Sequence, residues 1–454
     1  MLRQSRTRFS GYAAAAVVVA AALTAAGCGS SSSPGAGGAA TPGSSSSSGP
    51  AAATTPSAAS SGGGLGAQSV TDYLSYTGGK AGAANKSLAP VDIGYVNQQG
   101  GPTAVGLLAT NGAQMAVNYI NSELGGVDGH PVRLVSCFIA AAEEEGTTCA
   151  QKFLADKNVH VVAMGGVAIG VQSFFSALGG ALPVIDGVAA TPIDAAQKNA
   201  VILFGDSTHV LGPMGTYATT VLHAKTASVI YPADNADIPG ALAIQQGLKA
   251  AGVSVKMEGY PPTATDLTGV LTAAGAQTAD MVIPYTDASG CVNIAKALTQ
   301  LGITDTEKIV SAPLCLNGQV AAGLGGDFPK WTYSIASSLY GDPTDPGMPA
   351  YMKVTSTYTT PADAPDPWEI VNFGQLLTVD KIFNELGYAN ITSAKILAAA
   401  QAFKGPQALG APALDCGKYP SAPAVCNDRA QFFEYLGKNG GGFKKVAGWL
   451  QPPS

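Results

Sequence analysis

The stretch Ile93-Gly94-Tyr95-Val96-Asn97-Gln98-Gln99-Gly100-Gly101-Pro102, with the helix-like run from Leu107 and the turn Gly125-Gly126-Val127-Asp128-Gly129-His130-Pro131-Val132-Arg133-Leu134, decides the fold class. Val91–Val96 is a short continuous apolar run, as expected of a strand buried on both faces. Leu107 to Leu124 carries Leu108, Met115, Ala116, Tyr119 and Ile120 on one helical face and stops at Gly125-Gly126, a C-cap signal. Val132–Phe138 is a second apolar run. Strand, helix and strand in that order make a βαβ unit.

The same alternation continues along the chain. Strands are expected at Val159–Met164, Leu182–Ile185 and Val201–Phe204, with helices at Cys149 to Leu154 and Val171 to Leu178. A second series follows. Its strands are Ala227–Tyr231, Val253–Met257, Met281–Tyr285 and Ile309–Ser311. Its helices are Met214–Leu222, Ala241–Ala251, Leu267–Ala274 and Val292–Leu301. Two such series mean two α/β lobes with parallel sheets covered on both faces. A long helical stretch, Glu369 to Phe403, and a strand pair near Phe432–Val446 complete the chain.

The N-terminus reads as a targeting segment. Arg3, Arg6 and Arg8 precede an apolar run, Ala13 to Leu23, and then Ala25-Ala26-Gly27-Cys28. A cysteine after Ala-Ala-Gly resembles the bacterial lipobox, which implies lipidation at Cys28 and a signal peptide over 1–27. Residues 28–68 are almost entirely Ser, Gly, Ala, Pro and Thr, a composition that cannot offset its ordering entropy and so predicts a tether. Acyl chains anchor by burying roughly 0.8 kcal/mol per CH₂, and stable attachment needs more than one.

The formal net charge is -6, from 24 Lys and Arg against 30 Asp and Glu, and no basic cluster lies beyond the first residues. Nucleic acid is therefore not an expected partner. Of seven cysteines, six remain after Cys28, an even number suited to an oxidising compartment. Nearest-neighbour pairing is favoured because each loop then closes within one βα unit or hairpin: Cys137 with Cys149, Cys291 with Cys315, Cys416 with Cys426. Free buried thiols are the alternative. There is no C-x-x-C, and His130, His160, His209 and His223 are scattered, so no metal is expected. The sequence also lacks a phosphate loop, a G-x-S-x-G elbow and an H-E-x-x-H pair. Neither an enzyme nor a cofactor is expected.

Taken together, the quoted stretch resembles the first βαβ unit of the type I periplasmic binding proteins, of the leucine/isoleucine/valine-binding kind. Leu182-Pro183-Val184-Ile185 and Met281-Val282-Ile283-Pro284-Tyr285 extend the resemblance, which covers about Val91 to Trp449. It implies two Rossmann-like lobes joined by a three-stranded hinge. Lobe 1 is expected over 90–212 plus about 334–440, and lobe 2 over 213–333 plus about 441–454.

The resemblance further implies an exported monomer on the outer face of the cell membrane. It would deliver a small polar ligand (an amino acid, amide or organic acid) to an ABC transporter permease by hinge closure. The other readings are a sensor presenting its ligand to a membrane receptor and a structural envelope protein.

Ligands of open parallel sheets sit beyond the strands' carboxyl ends. Carrying the family's contacts over gives Gln98 after the first strand. In the next loop, Gly166, Ala168 and Ile169 offer backbone N–H groups to an anion. Ala189, Ala190 and Thr191 follow, with Thr191 as a donor. Ile238, Thr286 and Asp287 come from the second lobe, and Trp368 is a candidate wall. Asp287 also reads as a helix N-cap. Glu143-Glu144-Glu145 reads as the solvated start of a helix.

Overall fold

A computed structural model describes residues 69–101, 106–234, 237–361 and 363–454. The expected signal, Cys28 and the tether lie outside the described residues.

The first sheet has the order β2-β1-β3-β4-β5, every neighbouring pair parallel. Its strands are β1 (Val91–Gln98), β2 (Val132–Ile139), β3 (Val159–Met164), β4 (Val184–Asp186) and β5 (Ala200–Ile202). A short helix, α1 (Tyr73–Thr77), precedes them; α2 (Leu107–Glu123), α3 (Glu144–Ala155), α4 (Val171–Leu178) and α5 (Pro192–Ala195) connect them.

The second lobe begins with α6 (Pro213–Thr220). The order β7-β6-β8 then joins β6 (Thr226–Pro232), β7 (Ser254–Tyr260) and β8 (Met281–Pro284), again all parallel. Its helices are α7 (Ile238–Ala250), α8 (Thr268–Ala274) and α9 (Ala288–Gln300). A bridge from Val282 to Ile309 passes to β9 (Val310–Ser311), and α10 (Gly318–Gly323) leads to β10 (Thr332–Ile335). The chain then crosses back through α11 (Met348–Tyr358), α12 (Pro367–Leu386) and α13 (Ser393–Ala402). It ends in the antiparallel hairpin β11 (Ala430–Tyr435) and β12 (Phe443–Leu450). Because β11 pairs with β10, this hairpin belongs to the second sheet, ahead of the crossing expected near 440.

The helical stretch expected from Glu369 to Phe403 is two helices. Gly387, at φ 74°, ends α12, and the Thr392 hydroxyl caps α13 by accepting from the Lys395 amide.

The helix α12 fixes the geometry of the first lobe. It is buried nearly all round, polar Asn372, Gln375, Thr378 and Asp380 included, and sits in the core, where Ile370, Phe373, Leu376 and Phe383 are fully buried. Each such side chain contributes about 1.5–3 kcal/mol. Gln375 Nε2 donates to the carbonyls of Met164 (2.8 Å) and Ile185 (2.7 Å), at the carboxyl ends of β3 and β4. At the other end of the helix the Tyr388 amide donates to Asp128, next to the turn that leads into β2. The helix therefore runs antiparallel to the strands, and its first turn, with Trp368 and Glu369, stands beyond their carboxyl ends.

The chain crosses between the sheets three times, through 203–212, 336–347 and 427–429. Two side-chain amides lace the crossings together. Asn427 Nδ2 donates to the Phe204 carbonyl at 3.1 Å, and Gln431 Nε2 donates to the Ser337 carbonyl at 2.7 Å. Among the described residues no helix is long and apolar enough to cross a membrane.

Candidate functional site

In the first lobe the strand ends lead into loops held by their own side chains. Gln98, buried at the end of β1, accepts the amides of Ala168 (2.9 Å) and Ile169 (3.2 Å) through Oε1. Its own amide donates to the Gly166 carbonyl. The amides of Ala168 and Ile169, expected from sequence to meet an anion, are therefore already bonded.

The next donors are taken as well. Glu143 accepts Gly170 N and Ser173 N, both at 2.8 Å, and so caps the amino end of α4 with a carboxylate. Glu143 was expected to be only a solvated helix start. A glycine is required at 165, because a Cβ there would lie 2.8 Å from both Asn97 Oδ1 and the Tyr95 hydroxyl.

The loop after β4 is similarly committed. Thr191 donates its hydroxyl to Asp194 and accepts the Ile193 amide, which makes it the N-cap of α5 rather than a free donor. Ala189 is buried and its backbone pairs with Gly205 and Ser207; Ala190 is half-buried. Beneath this loop Asp186 is 1% exposed, and neither of its oxygens has a hydrogen-bond partner. Burial and the neighbouring Asp194 raise its pKa, and burial pushes Asp194 itself up to about 6. In the first crossing Asp206 accepts the His209 amide (2.7 Å), the His209 ring (2.9 Å) and the Thr208 hydroxyl (2.7 Å). Burial opposes ionisation there, yet these partners hold Asp206 below its ordinary range.

Opposite these loops, the carboxyl ends of β6 and β8 carry Asp234, Asp237, Tyr285, Thr286 and Asp287. Asp237 precedes α7, whose first residue, Ile238, is half-buried. Burial, then Asp234 and Asp287, push Asp237 up to about 6. Thr286 is buried against the Tyr260 hydroxyl at 2.5 Å. Asp287 is exposed and accepts Gly290 N (2.8 Å) and the Ser289 hydroxyl (2.9 Å), so it serves as the N-cap of α9. Tyr285 lies over the first turn of α7, where a Cβ on Gly240 would come within 2.1 Å of its hydroxyl. Its pKa is raised by burial and then by Asp237 and Asp206 together.

Trp368 is half-buried at the amino end of α12. Its amide donates to Asp366 and its carbonyl accepts from Asn372. Glu369 beside it is fully buried with no partner on either oxygen, and burial pushes its pKa up to about 7. Leu107 in the first lobe and Leu314 in the second are exposed apolar side chains after β1 and β9.

The sequence reading missed Glu143 as a cap, and did not count Asp206, Asp237 or Tyr285 among the candidate site residues. Only Tyr285, at a strand's end, carried a local signal. A cavity of about 490 Å³ lies elsewhere, between α9, α10 and the start of β10, lined by Leu298, Ile303, Leu324 and Trp331. It contains none of these residues and sits at the opposite ends of the strands.

The cysteines form three bonds: Cys137–Cys149, Cys291–Cys315 and Cys416–Cys426. Among the described residues no group of three or more His, Cys, Asp or Glu could hold a metal ion.

A family profile described as periplasmic binding protein matches residues 90–418. No curated protein matches the sequence. Solved structures share its architecture. A leucine binding protein from Thermotoga maritima is 14% identical, with a TM-score of 0.62 over 80% of this chain and 99% of that one. An ABC transporter substrate-binding protein from Sphaerobacter thermophilus is 15% identical, with a TM-score of 0.65 over 80% and 99%. A solute binding protein of an ABC transporter from Rhodopseudomonas palustris, in complex with p-hydroxybenzoic acid, is 14% identical, with a TM-score of 0.62 over 80% and 98%. At these identities the likeness is one of fold.

Proposed function

The chain belongs to the periplasmic binding protein family, whose members bind solutes and are not enzymes, and from this we propose that it captures a small polar solute for an ABC importer. The solute is of the size of an amino acid, amide or organic acid. In this reading the protein is exported, lipidated at Cys28 and held on the outer face of the membrane as a monomer, and 28–68 lets the folded part reach a permease.

One observation carries the capture reading. The three crossings, laced by Asn427–Phe204 and Gln431–Ser337, leave the carboxyl-end loops of both sheets on either side of a common hinge. A ligand touching Gln98, the loop with Ala189 and Ala190 and Trp368 in one lobe, and Ile238 and Thr286 in the other, gains its full contact set only when the lobes close. Binding then shifts the open–closed equilibrium, and a permease can tell loaded from empty protein.

The test is small-angle scattering on the purified domain, after a thermal-shift screen has found a ligand. A ligand at one hundred times its Kd raises stability by about 2.7 kcal/mol, enough to register. Contraction on ligand addition is expected. A tight ligand that leaves the scattering unchanged rejects hinge closure.

A further inference from the structure

One segment touches all three crossings between the lobes. It covers residues 403–426, from the end of α13 to the start of the third crossing. The Leu409 carbonyl accepts the Ser338 amide of the second crossing at 2.7 Å. The Ala413 carbonyl accepts from Arg429 Nη1 of the third at 3.3 Å. The ring of Tyr419 packs on the ring of His209 in the first, with centroids 4.1 Å apart.

Tyr419 also links two of the crossings to each other. Its hydroxyl donates to Asp428 of the third crossing at 2.7 Å, and Lys418 pairs with the same carboxylate. On its other side the His209 ring is bonded to Asp206 at 2.9 Å. Asp206 is bridged to Ala189, in the loop after β4. The line Asp206–His209–Tyr419–Asp428 thus joins the first and third crossings and ends beside a strand-end loop.

The segment is itself fastened to lobe 1. The Ile202 amide donates to the Ala424 carbonyl at 2.8 Å and the Cys426 amide to the Ile202 carbonyl at 3.1 Å, so residues 424–426 lie along β5. The Cys416–Cys426 bond, at a sequence separation of 10, closes the loop that carries Lys418 and Tyr419. Cys416 is half-buried, whereas Cys291 and Cys315 are fully buried. Access helps decide which disulfide a thiol attacks first.

We propose that this segment is a collar on the hinge, in which Tyr419 holds the first and third crossings together and the Cys416–Cys426 bond keeps Tyr419 in place. A dithiol reductant opens the bond. Two electrons and two protons pass to the cysteine sulfurs, and the reductant leaves as its own disulfide. The loop then loses its covalent closure, Tyr419 loses its fixed position, and the crossings bend more freely. Lobe motion, which capture requires, becomes sensitive to redox state. The proposal rests on the hinge of the capture reading and adds a control to it.

The test uses the exported chain without ligand, so a failed ligand screen does not touch it. Hydrogen exchange read by mass spectrometry follows 203–212 and 427–429, with α12 as internal reference. Tyr419→Ala, with the disulfide intact, is expected to speed exchange in both crossings about tenfold and to leave α12 unchanged. Dithiothreitol is expected to act in the same way, with iodoacetamide marking Cys416 and Cys426 before Cys291 and Cys315. Cys416→Ala, Cys426→Ala is expected to reproduce the effect and to make the crossings indifferent to dithiothreitol. Cys137→Ala, Cys149→Ala lacks a bond at β2, the opposite edge of the sheet from β5, and is expected to leave both crossings protected. Unchanged exchange at the crossings in Tyr419→Ala overturns the collar and leaves capture intact. Crossings that loosen in Tyr419→Ala but not with dithiothreitol overturn the redox control. An equal rise in α12, or the same rise in the Cys137 and Cys149 variant, shows general loss of stability and overturns both.

Discussion

The side-chain oxygen of Gln98 accepts the Ala168 amide at 2.9 Å, so the amide carbonyl stands where the oxygen of an anion would sit. It takes the Ile169 amide as well. Gln98→Ala would leave two N–H groups without this acceptor, beside the exposed Ala168. A lost internal hydrogen bond of this kind costs about 1 kcal/mol. The variant is expected to be slightly less stable in plain buffer and to recover with benzoate, whereas the wild type shows no benzoate effect. Thermal unfolding with and without benzoate checks this. A variant insensitive to benzoate shows that the vacated amides do not receive an anion.

Gly112 is where α2 crosses α12. A Cβ there would lie 2.3 Å from the Glu369 carbonyl oxygen, a backbone atom that cannot step aside without moving the helix. Gly112→Ala gains helix propensity on α2, but overpacking a fixed crossing costs roughly 1–3 kcal/mol. Net destabilisation is expected, read as a lower urea midpoint. Because α12 also carries Trp368 to the strand ends, ligand affinity is expected to fall with it. An unchanged midpoint would show that the two helices can slide apart freely.

Much of the scaffold was legible because its signals are local. Val159–Met164 and Val171–Leu178 match the observed strand and helix residue for residue, since an apolar run and a glycine at each helix end need no tertiary context. The strand β10 escaped because Thr332-Tyr333-Ser334-Ile335 is short and half polar; it is a strand because β9 and β11 flank it. The helix α11 escaped because its apolar face, with Met348, Tyr351 and Val354, is defined only by the core it meets.

The state of the site was less legible still. Gln98 meets Ala168 across a sequence separation of 70, and Glu143 meets Gly170 across 27, so no window reveals that the amides are filled. Thr191, as a donor, and Asp287, as an acceptor, were candidate ligand contacts, and each also has the composition of an N-cap. Their hydroxyl and carboxylate are used in that role.

The buried carboxyls set the sign of the pH dependence. Asp194 titrates at about 6 in the folded chain against an ordinary 3.8, and Asp186 and Glu369 are raised as well, Glu369 to about 7. A raised folded pKa stabilises while the proton is bound, and that contribution is lost as pH rises through the folded value. Asp206 is lowered and acts in the opposite sense, losing its contribution only in acid below its ordinary 3.8. The melting temperature is therefore expected to be highest near pH 4–5 and to fall by pH 7.5. Asp194→Asn keeps an acceptor for the Thr191 hydroxyl and removes the charge. It is expected to gain on the order of 1 kcal/mol over wild type at pH 7.5 and nothing at pH 4. A constant difference across that range would place the titration elsewhere.

Cys291 and Cys315 join the first turn of α9 to the short helical turn after β9, and both are fully buried. The bond closes a loop of 24 residues, for which the loss of loop entropy in the unfolded chain predicts about 3 kcal/mol. Its position adds a second consequence. Asp287 caps the same helix, and the carboxyl end of β8 carries Tyr285, so the bond holds this part of the second-lobe face in register. A Cys291→Ser, Cys315→Ser double variant is expected to lose about 3 kcal/mol by urea unfolding. It also places two hydroxyls in an apolar core, so Cys291→Ala, Cys315→Ala separates the lost cross-link from the buried polarity. If the bond acts only on the unfolded chain, the alanine pair loses stability but keeps wild-type ligand affinity at temperatures well below melting. If the bond also positions Tyr285 and Asp287, affinity falls in both pairs by a similar factor, and calorimetry distinguishes the outcomes.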